Sequence, residues 1–263
     1  MDVDLSPALL GGLAVFSVLT SLISAVLGEG GGILLLAAMY SFLPLTVVVP
    51  LHGAIQLVSN SSRVLAYWKE VRWVIVGRYL AGGLITLLPA WFLVTWVASG
   101  TDPKVEAGCK TLIGFYILWL THRRKGGKNA GKGQEAPGFS GFVPLGACVV
   151  PVSMVFGATG PLLAPFFIRP DLNKEEVVST KAACQMATHS LKLLVFLGAT
   201  SFPYKEATPA LLLLGIGAVV GTFAGRKVME KLSEALFRKL YVVALTVAGF
   251  KILLMDGVLG LLN

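Results

Sequence analysis

Gly28-Glu29-Gly30-Gly31-Gly32 and, at a constant offset of 129 residues, Gly157-Ala158-Thr159-Gly160-Pro161 each interrupt an apolar stretch where a continuous helix would otherwise run. Glycine frees the backbone at both breaks, and Pro161 suits the first turn of a new helix. Around them the whole segment from Gly28 to Leu65 recurs from Gly157 to Leu194. Gly28/Gly157, Gly31/Gly160, Gln56/Gln185 and Ser61/Ser190 coincide in ungapped register. Shared Leu and Val carry little weight in so apolar a chain. Two glycines, a glutamine and a serine carry more, because such residues are costly inside membrane helices unless something uses them.

Working outward, 55% of the 263 residues are hydrophobic and only 14% are charged, with a mean hydropathy of +0.78. Soluble domains carry roughly 25% charged residues, so the composition is that of an integral membrane protein. Apolar runs of bilayer-crossing length stand at 8–27, 46–68, 74–98, 105–121, 139–156, 177–199, 207–228 and 239–262. The acidic start, with Asp2 and Asp4, lacks the basic region of a signal peptide, so the first run is expected to be retained as a span. Cys109, Cys148 and Cys184 lie within or beside apolar runs without metal-ligand spacing and read as small packing residues. A net charge of +8 sits mostly in loops, where the membrane reading explains it and nucleic acid is not required.

Lys and Arg cluster at Arg63–Arg78, at His122–Lys132 and at Arg226–Lys239. The positive-inside rule places all three in the cytoplasm. Two long runs separate the first two clusters, but three separate the second from the third. One more segment must then cross, and the short apolar stretch Gly160 to Ile168 is the candidate, with Gly31 to Leu43 as its repeat partner. The expectation is an all-α membrane protein of two inverted five-segment repeats: eight long spans plus two short glycine-broken segments. Residues 1–121 form the N-terminal membrane repeat, 122–138 a cytoplasmic Gly/Lys-rich linker, and 139–263 the C-terminal membrane repeat. The alternative makes the short stretches re-entrant hairpins and the repeat parallel, leaving the 226–239 loop outside. The linker reads as a mobile loop, or as a contact for anionic membrane lipid headgroups.

A segment such as 31–43 is too short to span a core of about 30 Å as a regular helix, so the chain before it is unwound at depth. Unwound backbone in a membrane is tolerated where protein or a water-filled cavity satisfies it, and a helix starting there favours an anion. The glycines alternatively permit close helix packing. In the helix that follows, His52, Gln56 and Asn60 are spaced i, i+4, i+8 on one face, and Arg63 returns near the line of His52. Lys181, Gln185, His189 and Lys192 occupy the matching positions of the second copy. Neither stripe holds a carboxylate. An oxyanion suits them: Gln56 and Gln185 donate amide N–H groups, while Lys181 and a protonated His52 or His189 supply charge. Arg63 and Lys192, near helix ends, are expected to snorkel to the headgroups, and His189 is alternatively a neutral ring bonded to a helix neighbour. Glu29 is a candidate for coupling to a proton, or an acid at a wet helix start. Gly217, Gly221 and Gly225 form a GxxxGxxxG face for close packing.

No P-loop, nucleophile elbow, zinc spacing or paired catalytic acids occurs, so no cofactor, no metal and no nucleotide-driven pumping are expected. An enzyme using His52 or His189 lacks a second catalytic partner at recognised spacing. A passive anion channel shares the charge pattern and is the alternative to a transporter.

The elements Gly28-Glu29-Gly30-Gly31-Gly32-Ile33-Leu34-Leu35-Leu36 and Gly157-Ala158-Thr159-Gly160-Pro161-Leu162-Leu163-Ala164-Pro165-Phe166-Phe167, with Asn173-Lys174-Glu175-Glu176 through Ala182, resemble the sulfite exporter TauE/SafE family, also called the toluene-sulfonate uptake permeases. The likeness covers nearly the whole chain. It implies secondary transport of sulfite or small organosulfonate anions across the plasma membrane, usually outward, by a multi-pass protein. The substrate contacts expected are Gly28, Gly31, His52, Gln56, Asn60, Gly157, Thr159, Gly160, Lys181, Gln185 and His189, with Glu29 as the coupling candidate.

Overall fold

A computed structural model describes residues 6–28, 30–43, 45–98, 103–122, 139–156, 160–199, 202 and 204–262. Among these residues the chain is helical with no strand. The order is α1 (Pro7–Leu27), α2 (Gly31–Tyr40), α3 (Leu45–Ala66), α4 (Trp73–Ile85), α5 (Leu87–Ala98), α6 (Pro103–His122), α7 (Phe142–Phe156), α8 (Gly160–Leu163), α9 (Lys174–Ala199), α10 (Thr208–Met229), α11 (Glu234–Phe250) and α12 (Leu259–Leu262). A 3₁₀ turn, Ala164–Phe167, continues α8, and a π-helical stretch, Lys251–Val258, joins α11 to α12. Local signals explain the ends. Ser6 caps α1 by accepting the Leu9 N–H, with Pro7 in the first turn. Gly28 closes α1 at φ +66°, and Gly30 stands at φ +94°. Both angles lie in the left-handed region that favours glycine, so the break after α1 is built into the sequence.

Each long apolar run becomes helix, but not every helix is apolar enough to cross a bilayer by composition. Pro7–Leu27, Thr208–Met229 and Glu234–Leu262 meet that standard, and Trp73–Ile85 with Leu87–Thr95 adds a fourth as a pair bent by 53°. Against the expected eight, α3 and α9 fall short in apolar content, not in length, at 22 and 26 residues. The polar stripes are the reason. Large apolar side chains remain exposed on outer faces, as with Leu212, Ile216, Val220 and Phe223 of α10. An exposed apolar face of this extent fits a lipid-covered surface.

Two seams of small residues set the helix directions. Along α10, a Cβ at Gly217 would stand 2.8 Å from Ala14 O and one at Gly225 2.7 Å from Leu22 O, while Gly221 abuts Val18 O. The GxxxGxxxG face is therefore an internal seam with α1, and the two helices run parallel. Ser17 Oγ adds a hydrogen bond to Leu214 O at 2.8 Å. The second seam joins α4 to α7, where Gly146 meets Tyr79 O and, one turn on, Gly83 meets Val150, again in parallel. In the repeat expected from the sequence, α1 is the counterpart of α7 and α10 that of the α4–α5 pair.

One end of the molecule gathers the basic segments. Arg226, in the last turn of α10, stands 5.3 Å over the Tyr67 ring that follows α3. Arg72, just before α4, pairs with Glu176 of α9 at 2.7 Å, and its backbone N–H donates to Thr180 Oγ1. Lys174 Nζ donates to Met229 O and Leu232 O, and Arg238 donates to Arg169 O and Leu172 O. A cavity of about 410 Å³ opens there between Tyr67, Glu70, Glu175, Arg226 and Glu230. Burial pushes the Tyr67 phenol up. Here α3 and α10 end while α4, α9 and α11 begin. Helix α6 lies antiparallel to the α11–α12 helix, with His122 beside Thr246 and Ala107 beside Gly260. It therefore leads toward the basic end, although Arg123–Lys132 lie outside the described residues. By the two seams, α1 runs toward this end and α7 away from it.

Candidate functional site

Helices α3 and α9 pack against each other with their polar stripes inward, antiparallel because α3 ends where α9 begins. His52, Gln56, Asn60, Arg63, Lys181, Gln185, His189 and Lys192 are all buried. Such a concentration of polar groups is tolerated in a membrane protein only within a bundle interior or around a cavity.

On α3, His52 Nε2 lies 2.9 Å from Gly32 O, in the first turn of α2. A carbonyl only accepts, so Nε2 carries the proton and the tautomer is set. Gly32 also sits against Gln56, whose Oε1 would be 3.2 Å from a Cβ placed there. One turn further, Asn60 Nδ2 donates to Gln56 O at 2.7 Å, and Asn60 Oδ1 accepts from Arg63 Nη2 at 2.6 Å. Arg63 Nε donates to Ser59 O. Much of the hydrogen-bonding capacity of this stripe is consumed by α3 itself.

On α9 the arrangement is looser. Lys181 Nζ stands 5.5 Å over the Tyr241 ring, and Tyr241 OH donates to Ala164 O beyond α8. Gln185 follows one turn later, and Oε1 of its amide has no hydrogen-bond partner among the described residues. The His189 and His52 rings meet edge to face with centroids 6.4 Å apart. Lys192 lies beside Gly53, within electrostatic range of both rings. Counting inward from the two histidines sets Gln56 level with Gln185.

Lys192 is 0% exposed. Its Nζ makes one long bond, 3.4 Å to Ser153 O of α7, and lies 5.6 Å from the Phe196 ring. None of the ion pairs among the described residues includes it. An amine held this way, with no ion pair among the described residues, keeps donor capacity that its one long bond does not use.

The structure corrects the expectation that Arg63 and Lys192 snorkel to the headgroups, since they are 2% and 0% exposed. Proximity to a helix end misled, because α3 and α9 are enclosed by neighbours along their length. Their registered positions, 63 and 192, were the available signal. Of the glycines, Gly28 faces Val178 and Tyr241, Gly31 abuts Thr20 O and Ser24 of α1, and Gly160 is buried at the start of α8. It is the next residue, Gly32, that meets the polar stripe. Glu29, Gly157 and Thr159 lie outside the described residues. Among the described residues no group of His, Cys, Asp and Glu could hold a metal ion.

Two polar helices, each preceded by a short helix, pack against each other with their basic and amide side chains buried in an apolar helical protein. The model of the family described as Sulfite exporter TauE/SafE matches residues 13–252, which covers both breaks and both stripes. No curated protein and no solved structure matches the chain. That family consists of membrane transporters and not enzymes, which accords with a site rich in binding groups and poor in catalytic ones. The chain belongs to the sulfite exporter TauE/SafE family.

Proposed function

We propose that the chain is a secondary transporter of sulfite or small organosulfonate anions, exporting them across the plasma membrane by alternating access. The observation that carries this reading is Lys192, a buried amine with no ion pair among the described residues, set beside His52, His189 and Gly53. His52, Gln56, Lys181, Gln185 and His189 line the same path, with Asn60 positioning Arg63. Gly28, Gly31 and Gly160, with Gly157 and Thr159, shape the breaks, and Glu29 is the coupling candidate. The two halves are inverted five-segment repeats, and the basic end is cytoplasmic. Support comes from the opposite directions of α1 and α7 and from the basic segments collected at one end. The shared level of Gln56 and Gln185, partners in the expected repeat at an offset of 129 residues, supports a pseudo-twofold axis between them.

The test is counterflow in proteoliposomes against sulfite, sulfate, thiosulfate, sulfoacetate and taurine, with and without a proton gradient. Flux falls strongly in Gln56→Ala and Lys181→Ala while the proteins stay folded. Wild-type flux in both variants overturns the site. Currents far above transporter turnover, with no accumulation against a gradient, would instead establish a passive anion channel.

A further inference from the structure

We propose that the site selects an anion still carrying a hydrogen-bond donor, such as hydrogen sulfite or an amino- or hydroxy-substituted sulfonate, over an anion with only bare acceptor oxygens. This rests on the anion-transport reading and specifies its substrate. Lys192 supplies the charge and the donors, and the remaining groups decide what else the ligand must offer. His52 has its Nε2 proton committed to Gly32 O at 2.9 Å. In the neutral ring the other nitrogen, Nδ1, is a bare acceptor. It is buried and has no hydrogen-bond partner among the described residues. Gln185 Oε1, one turn before His189, is a second buried acceptor in the same condition. The two groups belong to facing helices that meet at the His52–His189 contact.

A fully deprotonated oxyanion answers Lys192 but turns lone pairs toward these two acceptors, and an alkyl-capped one turns a methyl group toward them, so both acceptors stay without partners. A ligand with one O–H opposite its charged oxygens answers Lys192 and one acceptor, and an amino group with two N–H answers all three groups. Leaving one buried acceptor unpaired is enough to lower affinity by roughly tenfold or more.

Sulfamate and methanesulfonate separate the two cases, since both are tetrahedral monoanions of nearly equal size at neutral pH and differ in an amino group against a methyl group. Purified full-length protein in proteoliposomes is assayed for competition of each against sulfite counterflow. Sulfamate is expected to compete roughly tenfold better than methanesulfonate. His52→Phe moves that ratio toward one, and Gln185→Met does the same and serves if His52→Phe does not elute as a folded protein. Equal competition by the two anions in wild type, or an unchanged ratio in both variants, overturns the selectivity and leaves anion transport standing. Absence of counterflow with every anion overturns the transport reading and this inference with it.

Discussion

Helices α3 and α9 carry registered polar stripes of the same length, yet they use them differently. On α3 the charge of Arg63 is held by Asn60 and Ser59 of its own helix, and His52 is fastened to α2. On α9 Lys192 has one long bond to a carbonyl, and Gln185 keeps an unanswered acceptor. The two matched stripes therefore differ in what they hold back: Asn60 and Arg63 of α3 are tied to one another, whereas Lys192 of α9 keeps donors in reserve. A buried charge already hydrogen-bonded within its own helix has little left to bind with, whereas one with spare donors gains most when an anion arrives.

The comparison breaks first at Lys192. Replacement by Met should abolish anion counterflow, lowering it about 100-fold, the order expected for losing a charged, desolvated contact. Because the variant also removes a buried amine that forms no ion pair among the described residues, its thermal midpoint in detergent should hold or rise. Retained flux would show that α9 is as structural as α3. Asn60→Ala should act the other way round. It leaves Arg63 and the Gln56 carbonyl short of a partner, so stability falls by about 1–3 kcal/mol, while flux in the folded fraction drops far less than in Lys192→Met. Thermal denaturation and counterflow on one preparation separate the two effects.

Gly32→Ala is a smaller disturbance. The new Cβ would stand 3.2 Å from Gln56 Oε1, the far end of a flexible side chain, so the glutamine shifts by a few tenths of an ångström. The expected cost is below about 1.5 kcal/mol, with counterflow reduced only a few-fold. A complete loss would mean that Gln56 tolerates no displacement. The smallest effect concerns the turn that leads into α9. The hydrogen bonds from Arg169 hold the Asp171 carboxyl below its ordinary value. A depressed carboxyl contributes stability in full above its unfolded value and loses it as the pH falls through the folded one. Acidification should therefore lower the thermal midpoint slightly more in wild type than in Asp171→Asn.

Much of the fold was legible because it rests on local rules. Gly28 and Gly30 adopt positive φ where the glycine break stood, and Gly217, Gly221 and Gly225 form the close seam their spacing announced. The stripes were legible for a similar reason, since 3.6-residue periodicity puts i and i+4 on one face whatever packs against it. The partner of each seam was not, because nothing in a glycine spacing says that Ala14, Val18 and Leu22 of α1 will meet it. Gly31 shows a subtler loss. It was matched with Gly160 by register, yet it is Gly32 that touches Gln56, as a rotation of one residue on α2 turns a glycine from one neighbour to another. Arg63 and Lys192 were misjudged because position along a helix does not reveal how deeply neighbouring helices enclose it.

The sequence by itself determined that the helices break at two registered places and that one polar face follows each break, since glycine φ preferences and helical periodicity act within a few residues. Only the tertiary structure decided which of those buried groups would be left with capacity to spare. Hydrogen bonds such as His52 to Gly32, and their scarcity around Lys192, depend on how separate helices meet. That meeting is governed by packing among distant segments, which no local pattern encodes.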